Sequence, residues 1–202
     1  MKKAIATLLA SAMLMLLLTA CVALTPAEPP EQTSNLERIA ELAAKSYSSI
    51  TLDVTTVTDG VRLSASYTLT QDRVSYSIEK LNTFPTDGNA AELSPSYKTT
   101  LTGEAVIENG VLKTLDGEAV DLPSYDELRG GFCFDESNFS GVVDAASSYK
   151  ANIARPSDFF GASVEMIDPK ITVKYTAEAL SEIKITYRTD RASVETVYTF
   201  VK

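Results

Sequence analysis

From residue 48 onward the chain repeats with a period of two, and this alternation limits the fold more than any other feature. Ile50, Leu52 and Val54 alternate with Thr51, Asp53 and Thr55; Val61, Leu63, Ala65, Tyr67 and Leu69 with Arg62, Ser64, Ser66, Thr68 and Thr70; Val74, Tyr76 and Ile78 continue the pattern. Successive side chains on a strand point to opposite faces, so each run reads as a strand with one dry face. Asp59-Gly60 supplies a hairpin turn between the first two.

The same period governs the C-terminal part. Ala162, Val164 and Met166, then Ile171, Val173 and Tyr175, then Ile183, Ile185 and Tyr187, and finally Ala192, Val194, Tyr198 and Phe200 occupy alternate positions, opposite Lys174, Lys184, Arg188 and Glu195. Four strands are expected here. Between the two regions the pattern is weaker. Residues 82–96, with Pro85, Gly88 and Pro95, read as a long loop; pairing resumes through Tyr97 to Glu108, with Asn109-Gly110 and Asp116-Gly117 as turn signals. Pro123–Leu128 reads as a short helical turn, Phe132–Phe134 as a short strand, and Pro156–Gly161 as a helical turn closed by glycine. Residues 139–153 fit a strand pair or a helix.

Ahead of the strands, Leu36, Ile39, Ala40, Ala43 and Tyr47 recur at helical spacing, and Ser34-Asn35-Leu36-Glu37 fits a capping box. One amphipathic helix over residues 35–47 is expected, with Glu41 and Lys45 as an i,i+4 pair on its wet face. A sheet dry on one side needs a cover, and one short helix covers little of it. The expected fold is therefore α+β and mainly antiparallel β: a sheet curled into an open half-barrel and packed on the N-terminal helix.

The first 33 residues follow other rules. Met1-Lys2-Lys3 precedes an uncharged stretch from Ala4 to Leu18, and the small residues Thr19 and Ala20 come before Cys21, the order of a secretory signal. Leu18-Thr19-Ala20-Cys21 resembles the lipobox of bacterial lipoproteins. The resemblance implies removal of residues 1–20 and attachment of lipid to Cys21, hence an extracytoplasmic protein anchored to the cell membrane, with the outer membrane open to it in a Gram-negative organism. The alternative is an uncleaved spanning helix, for which Ala4–Leu24 is long enough. Thr7, Ser11 and Thr19 dilute that run, and no basic stop-transfer cluster follows it. Residues 22–33, VALTPAEPPEQT, carry three prolines and read as an extended tether, so that residues 34–202 form a single domain.

The order of lipobox, proline-rich tether, helix and long meander resembles the LolA/LolB and LppX-like lipoproteins. That resemblance is one of architecture and implies a half-barrel holding a lipid on its concave side. It transfers no individual binding residue.

Composition narrows the chemistry. Removing residues 1–20 leaves 182 residues, and losing Lys2 and Lys3 leaves sixteen basic residues against 27 acidic ones, a formal charge of −11. Such a surface disfavours nucleic acid. The chain has no histidine, which removes Ser-His-Asp and Cys-His catalysis and histidine-ligated metals. Only Cys133 accompanies Cys21, so no internal disulfide is expected once Cys21 is lipidated. Within Phe132-Cys133-Phe134 the thiol is expected to be buried and inert. Asp126-Glu127 and Asp135-Glu136 read as solvated loop charge, because neighbouring carboxylates on a strand point apart and form no cleft. Arg129-Gly130-Gly131 reads as a turn.

These patterns point to a protein that is not an enzyme and needs no cofactor or metal. Its expected partners are the membrane through the anchor, a lipid or other hydrophobic ligand, and, on the alternative reading of an interaction or structural module, another envelope protein. The residues placed to line a ligand are Leu63, Tyr67, Leu69, Tyr76, Ile78, Tyr175, Tyr187 and Tyr198, all on the predicted dry face. Five are tyrosines whose hydroxyls need partners when buried. A partly wet cavity supplies such partners, and so do strand ends reaching solvent.

Overall fold

The computed structural model describes residues 35–58, 61–82, 98–108, 111–115 and 122–202. The lipobox, the tether, Ser34 and the three Gly-containing turns at 59–60, 109–110 and 116–117 lie outside the described residues, as does most of the 82–96 loop. Ser34–Lys202 is one compact unit.

Its frame is a ten-stranded antiparallel sheet made of two meanders. The first runs β1 (Ser49–Thr58), β2 (Val61–Leu69), β3 (Arg73–Asn82), β4 (Lys98–Glu108) and β5 (Val111–Thr114). The second runs β6 (Phe139–Ala145), β7 (Ser148–Ile153), β8 (Ile167–Tyr175), β9 (Leu180–Arg188) and β10 (Ala192–Val201). They join in the middle, where β1 pairs with β10 from Ser49↔Val201 to Thr58↔Ala192. The strand order β5-β4-β3-β2-β1-β10-β9-β8-β7-β6 leaves β5 and β6 as edges, so the sheet does not close into a barrel.

The helices are short. α1 spans Asn35–Ala43, α2 Tyr125–Arg129 and α3 Pro156–Phe160. α1 buries Leu36, Ile39 and Leu42 against the sheet, each worth roughly 1.5–3 kcal/mol relative to exposure. It ends four residues before the periodicity predicts, because Tyr47 is not a helical residue but a clamp on the helix end. The Tyr47 hydroxyl donates to the Leu42 carbonyl and accepts from the Leu180 amide, both at 2.9 Å, while its ring meets Phe200. Lys45 turns away from the predicted Glu41 pairing and donates to the Glu178 carbonyl at 2.9 Å. Arg38 donates to the Ala177 carbonyl at 2.7 Å, so the turn between β8 and β9 is held from two sides.

The helix does not cover the dry face alone. The connection from β5 to β6 crosses from one edge of the sheet to the other and carries α2, which contacts β1 and β2. α2 has a complete capping box between Ser124 and Glu127, and Gly130 closes it in the left-handed conformation. Residues 139–153 form the strand pair β6 and β7. A bulge at Gly141, with φ of 60° and a register shift between Ser140 and Val143, places Val142 next to Val143 and obscures the alternation.

Two predicted strands are absent. Phe132–Phe134 alternates without pairing: its phenyls turn inward as the cover of the sheet while its backbone follows the connection. Ala162, Val164 and Met166 likewise precede the ladder, which begins at Ile167. Three strands, not four, follow α3, since β8 spends its first residues on Asp168 at φ 51° and on Pro169, which has no amide to donate. α3 itself matches expectation, with Pro156 in its first turn and Gly161 in the left-handed closing position.

Candidate ligand-binding face

The eight candidate residues do lie on one face of the sheet, but they divide by depth. Tyr67, Leu69, Tyr76, Tyr175 and Tyr198 are buried in the core. Ile78 and Tyr187 are half-buried at its margin, and Leu63 is exposed. Along β2 the gradient is direct: Leu69, Tyr67 and Ala65 are 5, 6 and 8 % exposed, whereas Leu63 is 38 % exposed. β3 and β4 repeat it. Val74 and Ala105 are fully buried, Ile78 is half-buried, and its partner Leu101 is 39 % exposed.

One end of the inner face is therefore filled and the other is open. The filled end is sealed by α1, α2 and an aromatic cluster that the sequence reading missed. Phe159 stacks on Phe132 with ring centres 4.9 Å apart and meets Phe134, Phe139 and Phe160 edge-on. Phe132 also packs edge-on to Tyr198. The density of phenylalanine between residues 132 and 160 is the signal for this cluster, which alternation at 132–134 disguises as a strand. At the open end, Leu63, Ile78 and Leu101 form an apolar corner, and the exposed Lys80 stands opposite Leu63 in register.

Two of the core tyrosines satisfy their hydroxyls within the protein. Tyr198 donates to the Glu127 carbonyl at 2.9 Å and Tyr175 to the Ala145 carbonyl at 3.3 Å. Burial raises the pKa of Tyr149 from 10.0 to about 12, with the charges of Asp144 and Glu136 adding to the effect. Burial likewise raises those of Tyr198, Tyr175 and Tyr187. These groups are neutral packing elements at ordinary pH, not acids poised for chemistry.

Cys133 is exposed, contrary to expectation. The alternation of Phe132, Cys133 and Phe134 holds, but the side opposite the phenyls is solvent. Asp135 caps the turn at Glu136–Asn138 by accepting from the Ser137 amide and hydroxyl, bonds that lower its pKa. Glu127 belongs to the α2 capping box, and the Arg129 guanidinium sits 5.5 Å from the Tyr125 ring centre. These motifs serve the local fold. No group of three or more histidine, cysteine, aspartate or glutamate side chains able to hold a metal occurs among the described residues, and no described helix is long and apolar enough to cross a membrane.

The outer face is wet. Cross-strand pairs run along it: Lys98 with Glu79 at 2.6 Å, Lys174 with Glu182 at 2.9 Å, and Lys184 with Glu195 at 2.6 Å. Such exposed pairs contribute at most about 1 kcal/mol each. A recess of about 590 Å³ opens on this face over the ends of β1, β2 and β8–β10.

Neither a known protein family nor a curated protein matches this chain. Among solved structures, it is similar to a redesigned β-barrel, mFAP1, bound to DFHBI, at 12 % identity over 74 % of this chain and 91 % of that one, with a TM-score of 0.19. A superposition that loose carries no argument about function.

Proposed function

We propose that this protein is a membrane-tethered, extracytoplasmic lipoprotein that binds an amphiphilic ligand on the open end of its inner sheet face. The observation that carries the reading is the apolar corner of Leu63, Ile78 and Leu101, which continues the core yet is not covered by α1, α2 or α3. An acyl chain gains about 0.8 kcal/mol per methylene that such a surface removes from water. Lys80 beside it favours a ligand with an anionic head over a wholly apolar one. Covalent lipid at Cys21 would hold the domain beside the membrane that supplies the ligand.

The test is lipid extraction and native mass spectrometry of residues 22–202, with uptake of a fluorescent fatty acid. Saturable uptake that falls about tenfold in Leu101→Asp supports the reading. The absence of both co-purifying lipid and uptake would count against it.

A second reading, an interaction module of the cell envelope, is favoured by the edge strand β6. Its Val142 and Val143 are 50 and 65 % exposed, and an unpaired edge accepts a strand from another chain. An envelope complex lost in Val143→Lys, without any lipid uptake, would favour this reading over the first.

A further inference from the structure

The recess on the outer face is built from two adjacent rows of the sheet. Pairing register places Arg62, Val57, Ser193 and Arg188 side by side on β2, β1, β10 and β9. The next row runs Thr55, Glu195, Thr186 and Lys170 on β1, β10, β9 and β8. Val57, Thr55, Ser193 and Thr186 line the recess on the middle strands, with Arg62 on β2 and Lys170 on β8 at its two sides. Tyr187 and Val194, a register pair whose positions belong to the inner face, also border it.

The charges there do not cancel. The recess holds three cations, Arg62, Lys170 and Arg188, and two acids, Asp168 and Glu195. Asp168 is taken by Arg188 and Glu195 by Lys184. No ion pair forms at Arg62 or Lys170 among the described residues. In a chain with 27 acidic and 18 basic residues, two unanswered cations across one recess are unexpected. Both side chains are exposed, so their charges are available to a ligand in solvent.

We propose that this recess binds a short linear polyanion through Arg62 and Lys170. Its span decides the class of ligand. Arg62 and Lys170 are four strands apart, on the order of 19 Å at about 4.8 Å per strand, so one small anion cannot meet both. A chain carrying two or more phosphate or carboxylate groups can, with the Thr55, Thr186 and Ser193 hydroxyls available to its neutral portion. The site is on the opposite face from the apolar corner and does not depend on it.

The experiment is isothermal titration of the full chain in non-ionic detergent at low salt with inorganic tripolyphosphate, with tetraglutamate and with orthophosphate. Saturable one-to-one binding of either linear probe, tighter than orthophosphate, is expected, and whichever probe binds identifies the anionic group. Arg62→Gln and Lys170→Gln should each weaken that binding about tenfold, the worth of one charge-assisted hydrogen bond. Lys98→Gln and Lys113→Gln, which remove cations from the other half of the sheet, should not change it. Equal losses in those two variants would reduce the effect to diffuse electrostatics and overturn the proposal. So would orthophosphate binding as tightly as the linear probes, or no saturable binding of either linear probe.

Discussion

The Tyr198 hydroxyl donates a 2.9 Å hydrogen bond to the Glu127 carbonyl, tying a central strand of the sheet to the helix carried by the β5–β6 crossover. The same carbonyl also accepts from the Gly130 amide, so losing the phenol does not orphan it. Tyr198→Phe should therefore destabilise by only about 1 kcal/mol. Urea unfolding should show a lower midpoint with an unchanged slope. A much larger loss would mean that the crossover detaches when the bond is removed.

Gly103 is paired with Tyr76, whose ring lies over it. A Cβ at position 103 would fall 2.3 Å from the Tyr76 hydroxyl oxygen, and that ring is buried. Although alanine ordinarily improves on glycine in a strand, Gly103→Ala should cost roughly 1–3 kcal/mol. Tyr76→Val removes the ring, so a double-mutant cycle should give a coupling of about 1 kcal/mol or more. Zero coupling would show that the ring moves aside freely.

Ile39 is fully buried beneath α1. Ile39→Asp would leave a charge without a partner in the core and should destabilise by more than about 3 kcal/mol. Glu41→Gln, on the exposed side of the same helix, should stay within about 0.5 kcal/mol. Thermal unfolding of both variants decides whether α1 is part of the core.

Alternation reports that one side of the chain is dry, not that its backbone is paired. On β1–β3 and β8–β10 both conditions hold, and the strands are where the pattern puts them. At Phe132–Phe134 only the first holds, and at Ala162–Met166 the side is only partly dry, with Ala162 exposed and Val164 and Met166 half-buried. Tyr47 sits at a helical spacing because it packs on the core, yet its hydroxyl caps the helix from outside. The bulge at Gly141 does the reverse, hiding a paired strand behind two adjacent valines. The candidate face was legible as a face, but which of its residues are covered depends on the β5–β6 crossover, and nothing local in the sequence records that route.

Burial of Tyr149 lifts its pKa from 10.0 to about 12, and burial moves Tyr198 in the same direction. A phenol whose pKa is higher in the folded state holds its proton there after the unfolded chain has lost it. The associated stability is intact below about pH 10 and declines as pH rises toward and through about 12. Tyr149→Phe should flatten this alkaline decline, measured as unfolding midpoints between pH 9 and 12. A decline as steep as that of the parent would place its cause in other groups.

Cys21 lies outside the described residues, so its role is tested through the membrane. If its thiol carries lipid and the bond after Ala20 is cut, Cys21→Ser should give a chain without lipid that is either retained uncleaved or released. A spanning segment from Ala4 to Leu24 predicts the opposite, because its apolar length would supply the membrane affinity and one serine would change that little. Metabolic labelling with an alkyne palmitate, together with intact mass of the membrane fraction, separates the two. The lipoprotein reading expects a labelled parent of higher mass than its cleaved polypeptide and an unlabelled variant. Absence of label in both, with membrane retention unchanged, would leave the spanning helix.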